Sequence, residues 1–175
     1  ETAPYTQADT LTSFDPDGFS LGVDTTPSVR GVNVNAINYF ALTMKAASAS
    51  RFNIVSYTGN GSSGNTVAHG LGVTPEAWMV HRVDGTAADW MIYHKNQNAT
   101  PQNYYQRWST TTTNLTSAST AAWNDTAPNS TNITLGNSAA VNANGVAYIL
   151  YVWAGVEGFS KFDRFIGTGA ADGPM

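Results

Sequence analysis

The chain repeats itself, and this constrains its fold more than any other feature of the sequence. Phe19-Ser20-Leu21-Gly22 reads like Ile133-Thr134-Leu135-Gly136, 114 positions on. Val32-Asn33-Val34-Asn35-Ala36-Ile37-Asn38-Tyr39-Phe40 reads like Val141-Asn142-Ala143-Asn144-Gly145-Val146-Ala147-Tyr148-Ile149 at a spacing of 109. Gly59-Asn60-Gly61 returns as Gly167-Thr168-Gly169 at a spacing of 108, two residues after an aromatic in each copy, Tyr57 and Phe165. The order is kept, and the difference between the first two spacings falls in one loop, 23–31 against 137–140.

The repeat predicts an organisation. Residues 52–160 form one complete unit, residues 1–51 the back third of a preceding unit, and residues 161–175 the start of a following one. A chain cut out of register in this way is expected either to be a piece of a longer tandem protein or to have its ends completed by neighbouring subunits.

The units read as β-structure. Glu76–Val83 and Trp90–Lys95 flank a polar loop, Asp84–Asp89, and predict a β-hairpin with Val83 opposite Trp90. Met79, His81 and Val83 then share a face with Trp90, Ile92 and His94. Val146–Ala154 is apolar on both faces, as a central strand covered on both sides would be, and Ala36–Met44 fits the same slot. Helical periodicity is nearly absent; Lys45–Arg51 reads as a connector and Thr110–Thr120 as an exposed loop or β edge. The fold class expected is all-β, an antiparallel β-sandwich of jelly-roll type.

Composition excludes several functions. Lys and Arg total 8 of 175 residues and the net charge is −4, so no basic field draws in nucleic acid. Cysteine is absent, which removes disulfides, thiolate catalysis and cysteine-ligated metals. No apolar run approaches the ~20 residues of a membrane-spanning helix, so no membrane insertion is expected. Thr, Asn and Ser together make up roughly 50 residues, an uncharged hydrogen-bonding surface in place of ion pairs.

Catalytic chemistry finds little to stand on. His69, His81 and His94 are 12 and 13 residues apart, without the close pairs of a metal site. Asp15-Pro16-Asp17-Gly18 opens like a calcium loop but lacks the later ligands, and reads as a turn. A glycosidase needs two carboxylates facing across a cleft, and the complete unit offers Glu76, Asp84, Asp89, Asp125 and Glu157, three of them in turns beside Gly or Pro. Gly61-Ser62-Ser63-Gly64 is not a nucleophile elbow, and Gly59-Asn60-Gly61 is a recurring turn and no phosphate cradle. No enzyme activity and no cofactor are expected.

Aromatic residues are the stronger signal. Trp78, Trp90, Tyr93, Tyr104, Tyr105, Trp108 and Trp123 gather in the complete unit beside Asn, Asp and Thr. Sugar C–H faces stack on such rings while hydroxyls take short polar partners. Trp78 and Trp90 lie in strands and read as core before platform. For Tyr104, Tyr105 and Trp108, next to the Thr-rich loop, core and ligand platform stay open.

Ile54-Val55-Ser56-Tyr57-Thr58-Gly59-Asn60-Gly61, Val67–Glu76 with its His69-Gly70-Leu71-Gly72, and Asp89–Lys95 together resemble a repeat domain of uncharacterised function. That domain occurs in tail-fibre and other virion proteins of bacteriophages, often beside concanavalin- or laminin-G-like jelly rolls. Asn124–Pro128, Thr134-Leu135-Gly136, Val141-Asn142, Val156–Phe162 and Ala171–Met175 extend the similarity. The resemblance implies an extracellular, virion-associated structural protein, part of a tail fibre or related appendage, with host-surface glycan as a ligand. Asp84, Asp89, Tyr104, Tyr105 and Trp108 are the candidate ligand-binding residues. The alternative is a capsid decoration or filament-forming subunit, in which a strand over Phe162–Gly169, with Phe162, Phe165 and Ile166, pairs with neighbouring copies or other virion proteins.

Overall fold

A computed structural model describes residues 10–23, 32–41, 43–84, 86–108 and 117–169. Most of the Thr-rich stretch, the loop before Val32 and the Ala171–Met175 motif lie outside the described residues. Packing divides the chain into two compact units, one within Tyr5–Met44 and one from Lys45 onward.

In the smaller unit, β1 (Leu11–Asp15) and β2 (Gly18–Leu21) form an antiparallel hairpin with Asp15 opposite Gly18. Asp15-Pro16-Asp17-Gly18 is its turn, as the sequence reads. The Asp15 carboxylate accepts from the Ser20 hydroxyl (2.7 Å) and the Ser13 hydroxyl (2.9 Å), and these bonds hold its carboxyl below the ordinary carboxylate range.

The strand expected over Ala36–Met44 does not form among its described residues. A strand persists only where its N–H and C=O rows meet another strand, and side chains there such as Phe40 stand in solvent.

The larger unit is all-β and antiparallel, with short helical turns. Six strands, β3 (Phe52–Thr58), β5 (Ala77–Arg82), β6 (Trp90–His94), β7 (Tyr104–Trp108), β8 (Ser117–Ala118) and β10 (Ala147–Trp153), form one sheet in the order β3-β10-β5-β6-β7-β8. β4 (Asn65–Ala68) and β9 (Asn132–Leu135) form a second. Two single-turn helices, α1 (Thr120–Trp123) and α2 (Ala139–Asn142), begin at Ser119 and Ser138, whose side chains accept from the amides of Ala121 and Ala140. Among the described residues no helix is long and apolar enough to cross a membrane.

The core lies on one face of the large sheet. Tyr148, Leu150 and Val152 of β10, Trp78 and Val80 of β5, and Met91 and Tyr93 of β6 meet Val67, Ile133 and Leu135 of the small sheet, with Trp123 and Val141 from the helical turns. β10 is paired on both edges, by β3 and β5, but the cover expected on both of its faces is found on one: Tyr148, Leu150 and Val152 are buried, whereas Ile149, Tyr151 and Trp153 on the other face are half-buried. Trp78 and Tyr93 stack at 3.7 Å, with the Trp123 ring set edge-on 5.3 Å from Trp78.

The hairpin between β5 and β6 forms, but Val80 lies opposite Met91, so the predicted pairing of Val83 with Trp90 is two residues out of register. An even shift leaves every side chain on its expected face. His81, rather than Val83, stacks on Trp90 at 4.5 Å.

The two stretches that the sequence aligns also carry matching local contacts. Asn33 Nδ2 donates to the Gly22 carbonyl (2.7 Å), and Asn142 Nδ2 to the Gly136 carbonyl (2.8 Å). The Val34 amide donates to the Tyr39 hydroxyl oxygen (3.4 Å), and the Ala143 amide to that of Tyr148 (2.9 Å). The Ile37 amide reaches the Val34 carbonyl as the Val146 amide reaches that of Ala143, at 3.3 and 3.2 Å. Ala36 has φ of 64° and Gly145 of 73°, so an L side chain takes a left-handed conformation that its glycine counterpart adopts freely.

Candidate functional site

The candidate residues fall on three places in the large sheet. Asp84 follows β5 and is bound by Arg82 through Nη2 (2.6 Å) and Nε (2.9 Å), with the Thr86 amide at 3.2 Å. These donors, the Arg82 guanidinium first, bring its carboxyl down to about 2. A carboxylate so occupied is a loop clamp before it is a ligand group.

Asp89 and Tyr105 meet through a residue the sequence reading did not single out. Arg107 Nη1 lies 3.6 Å from Asp89 Oδ2, Arg107 Nη2 donates to the Tyr105 hydroxyl (2.7 Å), and the guanidinium carbon is 5.2 Å from the Tyr105 ring centre. Arg107 lies opposite Met91, which points into the core, so this trio sits on the core-facing side near the sheet end. An arginine in a strand between Tyr105 and Trp108, in a chain this poor in basic residues, is the signal that was available.

Trp108 points to the other side. It lies opposite Trp90 and is 67% exposed. From Trp90 an aromatic row crosses that face: His81 stacks on Trp90, Tyr151 follows at 5.7 Å, Trp153 at 6.3 Å from Tyr151, and Phe52 at 5.3 Å from Trp153. Trp90 is therefore not in the core with Trp78, as the reading of both as core would have it. It is half-buried on the opposite face, because Trp90 and Trp78 fall on opposite sides of the pleat. His81 Nδ1, buried beside Trp90, has no hydrogen-bond partner among the described residues.

Tyr104 begins β7 at the far end from Trp108, where its carbonyl accepts from Gln97 Nε2 (2.7 Å). The structure thus brings Asp89 to Tyr105, sets Trp108 on the reverse face with Trp90, and separates Tyr104 from both.

The remaining titratable candidates have structural partners. Glu76 pairs with Lys95 at 2.9 Å. His69 is fully buried; its Nδ1 accepts from the Leu71 amide (3.2 Å), its Nε2–H donates to the Asn129 carbonyl (3.1 Å), and burial pushes its pKa below the ordinary imidazole value. Phe162 is half-buried, whereas Phe165 and Ile166 are exposed. Within the single chain Phe162–Gly169 is not in a strand; the pairing with neighbouring copies expected of it involves other chains. Asp163 there is bound by Lys161 (2.7 Å) and by Asn96 Nδ2 (2.8 Å).

A family model described as a domain of unknown function, DUF7483, matches residues 1–175. The chain belongs to that family. No curated protein and no solved structure matches it. The family match spans both compact units, so the small hairpin unit and the sandwich are parts of one family domain.

Proposed function

We propose that the protein is a virion-associated structural protein, part of a bacteriophage tail fibre or related appendage, built from repeated copies of one β unit. The observation that carries this reading is the duplicated contact set: Asn33 with Gly22, Val34 with Tyr39 and left-handed Ala36 match Asn142 with Gly136, Ala143 with Tyr148 and left-handed Gly145. Duplicated local geometry in one chain is what stacked units of an extended appendage require. The resemblance of Ile54–Gly61, Val67–Glu76 and Asp89–Lys95 to a virion repeat domain is what supports a virion location in this reading. Immunogold labelling of purified particles with antibody to this chain tests it. Gold along the tail is the expected result, gold over the head favours the capsid decoration reading, and unlabelled particles overturn both.

A second reading, host-surface glycan recognition, is favoured by the row from Trp108 and Trp90 to Tyr151 and Trp153. Rings on a sheet face stack sugar C–H surfaces. Glycan-array hits that Trp108→Ala abolishes would support it, and an array without hits would remove it.

A further inference from the structure

β3 is the outer strand of the six-stranded sheet, paired along one edge by β10. Successive residues of an antiparallel strand turn their N–H and C=O groups to opposite edges. The Gly59 amide donates to the Val146 carbonyl and the Ala154 amide to the Arg51 carbonyl, both at 2.8 Å, so the odd-numbered residues of this stretch face β10. Phe52, Ile54, Ser56 and Thr58 face away from it. At the start of that outer edge the Phe52 carbonyl accepts from the Ala47 amide (2.9 Å), and the Ile54 amide is closed by Asn53 Oδ1 (3.0 Å). Past Thr58 the chain leaves the edge, the Asn60 amide donating to Asn142 Oδ1 (2.9 Å) and the Gly61 amide to the Asn142 carbonyl (2.8 Å). Between these closures the main-chain groups of Ser56 and Thr58 have no partner among the described residues, and both residues are exposed. Edges are ordinarily guarded by charge, proline or a bulge. β3 carries no charged residue and no proline, and it pairs with β10 without a register shift.

We propose that β3 pairs antiparallel with β3 of a second copy about a two-fold axis at Tyr57, so that Ser56 of each copy lies opposite Thr58 of the other. In this register Ser56 and Thr58 exchange amide-to-carbonyl bonds across the axis, which uses the open donors and leaves the bond between Ile54 and Asn53 intact. The occupant is a copy of this strand because the open stretch is bounded at both ends. A longer foreign strand would run on to the closed Ile54 amide or into the turn at Asn60, whereas a copy is open over the same positions and closed beyond them. Charge permits the self-pairing: neither β3 nor β10 behind it carries a charged residue, so two copies meet without like-charge repulsion. Tyr57, half-buried and stacked on Tyr148 at 5.2 Å, meets its counterpart directly across the axis, and cross-strand aromatic pairs of this kind stabilise antiparallel ladders. The same patch serves both copies, so the two-fold closes the assembly at a dimer. The pairing uses the larger unit alone and does not depend on the virion reading.

Amide hydrogen exchange reads the pairing directly. The Ser56 and Thr58 amides should exchange freely in dilute solution and about tenfold more slowly near the solubility limit. Because the chain contains no cysteine, introduced thiols report the register without background. Opposite residues that exchange ladder bonds have Cα atoms about 5.5 Å apart, within disulfide reach. A mixture of Ser56→Cys and Thr58→Cys proteins should give a disulfide-linked heterodimer under mild oxidation, and either protein alone far less. Thr58→Lys places a charge on the edge and should remove the concentration dependence at the Ser56 amide; its side chain is exposed, so thermal unfolding should stay unchanged. Ser56→Pro deletes an open donor without touching a bond to β10, and should do the same at the Thr58 amide. Free exchange of both amides at every concentration, crosslinking of either single-cysteine protein as readily as of the mixture, or slowed exchange that survives both Thr58→Lys and Ser56→Pro overturns the pairing.

Discussion

Asn142 and Asn60 hold each other by two hydrogen bonds: Asn142 Oδ1 accepts from the Asn60 amide at 2.9 Å, and Asn142 Nδ2 donates to Asn60 Oδ1 at 3.3 Å. The same buried side chain donates to the carbonyls of Ser62 (2.9 Å) and Gly136 (2.8 Å) and accepts from Asn65 Nδ2 (2.9 Å). One amide thus ties the turn after β3 and the start of β4 to the chain leaving β9. Asn142→Ala removes all of these at once and leaves enclosed backbone groups without partners, so a loss of about 2–4 kcal/mol in urea unfolding is expected. Asn142→Asp keeps the shape but turns the donor atom into an acceptor facing two carbonyls, and should be at least as damaging. A loss below about 0.5 kcal/mol for either variant would mean that the hub is not structural.

Ala36 and Gly145 predict opposite signs for exchange of a single methyl group. Ala36 sits at φ of 64°, where its Cβ is strained, so Ala36→Gly should stabilise the smaller unit by about 0.5–1 kcal/mol. Gly145 at φ of 73° has open space around it, so Gly145→Ala meets backbone strain alone and should cost about 1 kcal/mol. Hydrogen exchange at the Ile37 and Val146 amides, which bond to the Val34 and Ala143 carbonyls, reads each effect locally. Equal signs at the two positions would contradict the matched geometry.

These residues also mark how far the sequence was legible. Asn33, Tyr39 and Ala36 stand at positions paired by spacing alone, and their short-range bonds match those of Asn142, Tyr148 and Gly145, because such bonds need only the segment itself. Strand formation needs a partner. Ala36–Met44 has the pattern of β10, but its described residues are in no strand. Hairpin faces followed from alternation, whereas register did not, since a shift of two residues leaves the pattern unchanged. Arg107 has no periodic pattern to mark it, and its link to Asp89 exists only once β6 and β7 pair.

Trp78 and Trp108 separate core from surface. Trp78 is enclosed against Tyr93 and Trp123, and Trp78→Ala should cost about 3–5 kcal/mol. Trp108 is mostly in solvent, and Trp108→Ala should change stability by no more than about 0.5 kcal/mol. Parallel denaturant titrations test the contrast. A large loss at Trp108 would show a packing role for that ring and would undercut any ligand reading of it.

His69 makes the protein sensitive to mild acid. Its Nδ1 lone pair accepts from the Leu71 amide, and its enclosed ring is harder to charge than a free imidazole, so its folded-state pKa lies below the ordinary value. The unfolded chain takes up a proton near pH 6.5 while the folded chain resists it until lower pH. Stability is therefore unaffected by this group well above that value and falls as pH drops through it. His94 shifts in the same direction, through burial and the adjacent Lys95, and contributes to the same slope. Urea midpoints should decline between about pH 7.5 and about pH 5.5. His94→Gln should flatten part of the decline and His69→Gln, at lower overall stability, the rest; an unchanged slope in the double variant would assign the acid sensitivity elsewhere.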